Sequence, residues 1–328
     1  SRRSEMSLRG YALLILAGLM IFGAAVSPPT ASAVEKTELY VGVDGSDDNP
    51  GTADAPVASL TRAAQLLAAA SGAEATVWIG PGTYHEPAVV NWSKVAVPRV
   101  RLRPTDPGLP PTFDGSRATG SSHYWMNTGG GPSLDVRGMV VTHYRTGGIR
   151  LDTDHNVIDK MIFTEIGNAF VPDGPGYAAL HFLGSSHNVI SDTIFTDLVN
   201  TDCPGCVHAA YLANSSSDNR FTDTVMARIT GDPVRLRHDT HRNRFERTVF
   251  SRSGSAFPNR AMASFWRFTE AEVCGVDNRV ELSVSDGRYF DGTPGQKTIG
   301  NGAEPGIEVC DRALRGSRNV IDPKLVVP

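Results

Sequence analysis

Arg150, His181, Tyr211 and Arg235 each sit third in a segment of one form: Gly148-Ile-Arg-Leu151, Ala179-Leu-His-Phe182, Ala209-Ala-Tyr-Leu212 and Pro233-Val-Arg-Leu236. Side chains alternate across an extended strand, so the apolar residues on either side of each share one face and the residue between them takes the other. Ile149, Leu180, Ala210 and Val234, with Leu151, Phe182, Leu212 and Leu236, are therefore expected in a core, and the column between them in solvent. Phe265-Trp-Arg-Phe268 fits the same pattern and adds Arg267. Guanidinium groups grip planar carboxylates, while imidazole and phenol carry protons. At a strand spacing of about 4.8 Å the five residues would cover roughly 20 Å, the length of several sugar units. Stacked cations without interleaved carboxylates repel one another, which favours an anionic ligand.

Something must hold these strands in register, and the sequence contains it. A turn-plus-strand phrase returns from Asn156, Asn188, Asn219, Asn243, Asn278 and Asn319, as in Asn188-Val-Ile-Ser-Asp-Thr-Ile-Phe195 and Asn243-Arg-Phe-Glu-Arg-Thr-Val-Phe250. Self-similarity at this period marks a solenoid, in which residues one coil apart lie above one another. The spacings are 32, 31, 24, 35 and 41, so coils of about 22 to 24 residues carry insertions. Asn tolerates the left-handed conformation at a turn, and its amide can bond to the Asn of the next coil. Insertions 168–177 and 200–206 precede the His181 and Tyr211 strands and are expected to wall a cleft beside the column.

Ahead of the repeat, Leu39-Tyr-Val-Gly-Val43 and Thr76-Val-Trp-Ile79 read as strands. Between them Ser59 caps a helix with Leu60, Ala63, Ala64 and Leu67 at helical spacing. No long amphipathic helix follows. The expected architecture is all-β: a single-stranded right-handed parallel β-helix with an N-terminal capping helix, the cap and first strands over 34–90 and the coils and closure over 91–328. The stretch Tyr40-Val-Gly-Val-Asp-Gly-Ser-Asp-Asp-Asn-Pro-Gly-Thr52, with Trp78-Ile-Gly-Pro-Gly-Thr-Tyr84 and the coil repeats, resembles secreted right-handed parallel β-helix proteins of the pectate-lyase-like superfamily. That resemblance implies a carbohydrate-active protein but leaves the reaction open, since the superfamily holds lyases, hydrolases, epimerases, esterases and binding proteins.

Bulk properties narrow the setting. A net charge of −4 in 328 residues gives no global attraction to nucleic acid, although 26 Arg stand against 5 Lys. Arg2, Arg3 and Arg9 precede an apolar run from Tyr11 to Val26 and Ala31-Ser32-Ala33, which reads as a signal peptide over 1–33. The expected product is a secreted, extracellular monomer with no membrane association after cleavage. Cys203-Pro-Gly-Cys206 has no second pair at zinc spacing and no helical redox context. A loop disulfide there, with a second between Cys274 and Cys310, is the simpler reading.

Three reaction classes compete. β-Elimination on a uronate needs a cation on the carboxylate, a base for the adjacent C–H and an acid for the leaving oxygen. His181, His208, Tyr211 and Arg235 are the catalytic candidates. Arg150, Arg237, Arg267, Trp266 and Asp232 are the substrate-binding candidates, and His208 and Asp232 fall at equivalent positions in neighbouring coils. An epimerase would use the same parts. A glycoside hydrolase needs two carboxylates about 5 to 9.5 Å apart, and Asp152, Asp173, Asp202, Asp232, Asp239 and Glu270 form no such obvious pair. Calcium is compatible with the loop acids Asp44, Asp47, Asp48, Asp173 and Asp202. No metal ligand is assigned. A polysaccharide lyase acting on an acidic polysaccharide is the leading expectation; a binding protein using the same groove is the non-enzymatic one.

Overall fold

The computed structural model describes residues 36–119, 123–255, 260–310 and 317–326; residues 1–33, read from the sequence as a signal peptide, lie outside them. Three sheets of ten, nine and eight strands run side by side, and every ladder between their named strands is parallel. One coil visits all three in turn. After Asn156, strand Val157–Asp159 enters the ten-stranded sheet, Ile162–Ile166 the nine-stranded sheet, and Ala178–Leu183 the eight-stranded sheet. The helix Leu60–Leu67 is the only α-helix among the described residues. Ser59 caps it by accepting from Arg62 N, and the buried Glu86 carboxylate accepts from Leu60 N and Thr61 N. Leu60, Ala63, Ala64 and Leu67 turn onto the core.

The repeated asparagines form one continuous ladder, buried from Asn156 to Asn278 and half-buried at Asn319. Nδ2 of Asn156 donates to Oδ1 of Asn188 at 2.8 Å, and the same bond follows from Asn188 to Asn219, Asn219 to Asn243, Asn243 to Asn278 and Asn278 to Asn319. Each of those acceptor oxygens also takes the backbone N–H of the preceding Asn. A buried corner would otherwise strand these groups without water, so the residue type is dictated by donor and acceptor count together. Inside the coil, aromatic side chains stack at the same interval: Phe163 on Phe195 at 5.5 Å and Phe221 on Phe245 at 4.4 Å between centroids.

The corners carry backbone strain. The residue before each Asn (His155, His187, Asp218, Arg242, Asp277, Arg318) has positive φ, as does a second column four residues after it: Lys160, Asp192, Asp223, Arg247 and Leu282. The left-handed region costs a side-chain-bearing residue roughly 1–2 kcal/mol, less for Asn and Asp. Ion pairs between coils accompany several of these, as in Arg242–Asp218 and Arg247–Asp223, each at 2.7 Å. Leu282 has φ 53° and is 76 % exposed. Leu282→Asn should therefore raise the unfolding free energy by about 0.5–1 kcal/mol. A urea midpoint unchanged or lowered would show that the Leu side chain contributes packing instead.

Candidate functional site

The register of the eight-stranded sheet places Arg150 beside His181, His181 beside Tyr211, and Tyr211 beside Arg235, as the sequence column requires. It does not continue to Arg267. Arg235 pairs with Ser264, and Trp266 falls next to Arg237. The small residues Ala263 and Ser264 take the core and column positions, whereas Phe268 is exposed. Arg267 sits three residues further on, where its guanidinium donates to the backbone carbonyls of Glu270 and Glu308.

A second correction concerns exposure. Only Arg150 faces solvent; His181, Tyr211 and Arg235 are buried. The two insertions fold over the column and are tied together, with Thr201 N donating to Oδ1 of Asn168 at 2.7 Å and Nδ2 of Asn200 to the Pro175 carbonyl. Cys203 and Cys206 are disulfide-bonded within one wall, and Cys274 and Cys310 form the other disulfide. Beneath these walls lies a cavity of about 770 Å³ whose lining includes Tyr177, His208, Tyr211, Arg235, Arg260 and Trp266.

His181 does not line that cavity. Its Nδ1 shares a hydrogen bond of 2.9 Å with the Tyr124 hydroxyl, and the rings of Tyr177 and Tyr211 lie 4.9 and 5.1 Å away. Tyr177, contributed by the first insertion, also packs 4.9 Å from Tyr211 and closes the column over His181. Tyr211 is the hub. Its oxygen receives Nη1 of Arg237 at 3.1 Å, and its ring packs against Tyr177, His181 and His208. Burial, then the neighbouring Tyr211, holds the Tyr177 phenol well above its ordinary value, so Tyr177 stays protonated.

The cations are not free of carboxylates, contrary to the expectation of an unrelieved stack. Arg235 Nη2 meets Asp232 at 2.5 Å, its Nε donates to Ser264 Oγ at 2.7 Å, and its guanidinium lies 4.9 Å from the Trp266 ring. Asp232 also accepts from Ala261 N and Ser264 Oγ. Burial opposes its charge, but Arg235 and His208 outweigh burial and hold the carboxyl below its usual range. Arg237 pairs with Glu272 and stacks 4.1 Å over Phe268. Arg260, on the loop before the Ala261–Arg267 strand, has no carboxylate partner among the described residues, and its buried Nε has no hydrogen-bond acceptor among them. Gly205 makes room for it: a Cβ there would approach the Arg260 guanidinium to 2.4 Å.

His208 is fixed in one tautomer. Nδ1 lies 2.7 Å from the Asp232 carbonyl, which can only accept, so Nδ1 carries the proton and Nε2 the lone pair of the neutral ring. Burial and then Arg235 depress its pKa to about 3; burial, Arg150 and Arg237 do the same for His181. Unfolded histidine titrates near 6.5, so between about pH 3 and 6.5 the unfolded chain binds protons that the folded one refuses. The corresponding stability is complete above about pH 6.5 and is lost as pH falls. Acidification from pH 6 to 5 should cost on the order of 1 kcal/mol per histidine, and His181→Gln should flatten that dependence by about half in urea titrations. An unaltered slope in the variant would mean that His181 already takes up a proton in the native state.

Of the loop acids considered for calcium, Asp47 spends both oxygens on Ala58 N, Ser59 N and Ser59 Oγ at the helix start. Among the described residues no group of three or more His, Cys, Asp or Glu side chains converges as a metal site. Arg260, Tyr177 and Glu272 were missed by the sequence reading because they lie outside the repeated strands. Their only sequence signal was membership of an insertion.

No protein-family profile matches the chain, and no curated protein does. Among solved structures, the pectate lyase Pel9A superposes with a TM-score of 0.51 at 14 % identity, over 90 % of this chain and 78 % of its own. A rhamnogalacturonan lyase gives 0.47 at 14 % identity over 88 % and 87 %. At this identity the likeness is one of fold: the chain is a right-handed parallel β-helix.

Proposed function

We propose that the walled cavity binds one uronate unit of an acidic polysaccharide and cleaves the chain there by β-elimination, outside the cell. The observation that carries this reading is Arg260, a half-buried guanidinium whose Nε is buried and has no acceptor among the described residues, lining one cavity with Tyr211 and His208. Arg260 takes the sugar carboxylate, which acidifies the neighbouring C–H. Nε2 of His208 accepts that proton; the C–O bond to the leaving sugar breaks, a C=C bond forms, and the Tyr211 hydroxyl protonates the departing oxygen. Arg237, already donating to the Tyr211 oxygen, steadies the phenolate that results. The two ring centroids are 5.4 Å apart, a separation suited to adjacent atoms of one sugar ring. Two disulfides suit an oxidising compartment.

Incubation with a panel of uronate polymers, polygalacturonate and alginate among them, should yield products that absorb in the ultraviolet through the new double bond. Absence of that absorbance on every polymer, together with new reducing ends on a neutral glycan, would replace elimination by hydrolysis.

A further inference from the structure

The geometry points to a second acidic-glycan site, on the ten-stranded sheet and away from the walled cavity. It rests on the reading that this protein meets an acidic polysaccharide. Trp78 follows Tyr40 and precedes Arg103 in the register of neighbouring strands, and Arg137 follows on the next strand by the same register. These four outward positions cover roughly 14 Å at strand spacing. Beside them lies a cavity of about 390 Å³, lined by Trp78, Pro104, Pro107, Pro110, Arg137 and Lys160 among others. That volume falls within the range of small-ligand pockets, about 300–1,000 Å³.

Charge decides the occupant. Arg99, Arg101, Arg103, Arg137 and Lys160 stand against their partners Glu74, Asp135 and Asp159 and against Glu38, exposed on the first strand of the sheet. The partner carboxylates lie underneath: Asp135, Glu74 and Asp159 are 6, 15 and 11 % exposed in their side chains. Arg99, Arg101 and Arg137 are 32, 40 and 43 % exposed above them. An approaching ligand meets the cationic heads, because their counter-charges are turned inward. Lys160 is exposed and has no ion pair among the described residues. Trp78 adds an aromatic face with a donor: its Nε1 is buried and has no hydrogen-bond partner among the described residues. An indole face packs on the C–H face of a sugar, an unpaired N–H binds a hydroxyl, and guanidinium groups bind carboxylates. Those three recognitions coincide in an extended uronate chain. The site would hold the polymer while the walled cavity acts on another part of it, raising local substrate concentration through bivalency.

Native electrophoresis through gels containing polygalacturonate, alginate or neutral dextran tests this. The intact protein should be retarded by at least one acidic polymer and not by dextran. Trp78→Ala and the surface variant Lys160→Glu should each weaken that retardation threefold or more with unchanged circular dichroism, and should leave turnover of short uronate oligomers at the wild-type rate. Arg260→Ala should keep most of the retardation, which separates this site from the walled cavity. Wild-type migration of both Trp78→Ala and Lys160→Glu, full loss of retardation in Arg260→Ala, or no retardation by either acidic polymer overturns the second site. If no polymer is cleaved but retardation depends on Trp78 and Lys160, the elimination reading falls and the second site stands.

Discussion

Tyr211→Phe should lower turnover of the uronate polymer by about 10²–10⁴-fold while shifting KM little. Loss of the proton donor to a leaving alkoxide removes an interaction made only in the transition state, and general acid catalysis contributes on that scale. The ring would remain, and with it the contacts to Tyr177 and His181. Arg237 would keep Glu272 and Phe268, so its position survives the loss of the phenolic oxygen. Steady-state kinetics on the polymer found by ultraviolet screening give the measurement. A variant within tenfold of wild type in kcat removes Tyr211 from the proton path and transfers that role to water. A variant with unchanged kcat and a raised KM makes Tyr211 a binding residue.

Asn219→Ala should cost about 4 kcal/mol of stability, far more than a typical substitution. Oδ1 of Asn219 accepts from Asn188 N at 3.1 Å and Asn188 Nδ2 at 2.6 Å; its Nδ2 donates to Asn243 Oδ1 at 2.9 Å and to the Ser185 carbonyl at 3.1 Å. Truncation strands the Asn188 N–H, one proton of its amide and the Ser185 carbonyl in the interior. Each such group costs about 1–3 kcal/mol when left unpaired. Asn219→Asp keeps the acceptor but loses both donors and buries a charge, so it should be no milder. Urea denaturation compares the three proteins. A loss below 1 kcal/mol in Asn219→Ala would mean that water enters the corner and replaces the amide.

The ladder was legible because its chemistry is specific to residue type. Only a side chain with a donor and an acceptor on one short stem satisfies both neighbouring coils, so Asn recurs and can be aligned. The strands beside it inherited that register, which is why Arg150, His181, Tyr211 and Arg235 fall in one column. The alignment failed at the fifth coil for a physical reason. Ala263 is buried although small, and Phe265-Trp-Arg-Phe268 imitates the core-out-core pattern three residues late. Exposure was misjudged for another reason: whether an insertion stands beside a column or folds over it depends on contacts such as Thr201 to Asn168, which have no repeat to reveal them. Arg260 escaped for the same cause. It lies in a loop, and its significance comes from having no ion-pair partner among the described residues, a property of three-dimensional surroundings.

The corner asparagines also bear on how such a protein can change over generations. Coils of 24, 31, 32, 35 and 41 residues all deliver their Asn to the same ladder, and the described insertions, such as 168–177 and 200–206, leave as loops beside the eight-stranded sheet. Length added there grows slowly in entropic cost. Wall loops can therefore be exchanged, lengthened or lost without disturbing the hydrogen bonds that hold the barrel of coils upright. Innovation in what the cleft accepts is decoupled from the fold's integrity, and grafting the 168–177 and 200–206 loops onto another such helix becomes a route to transplanting its preference.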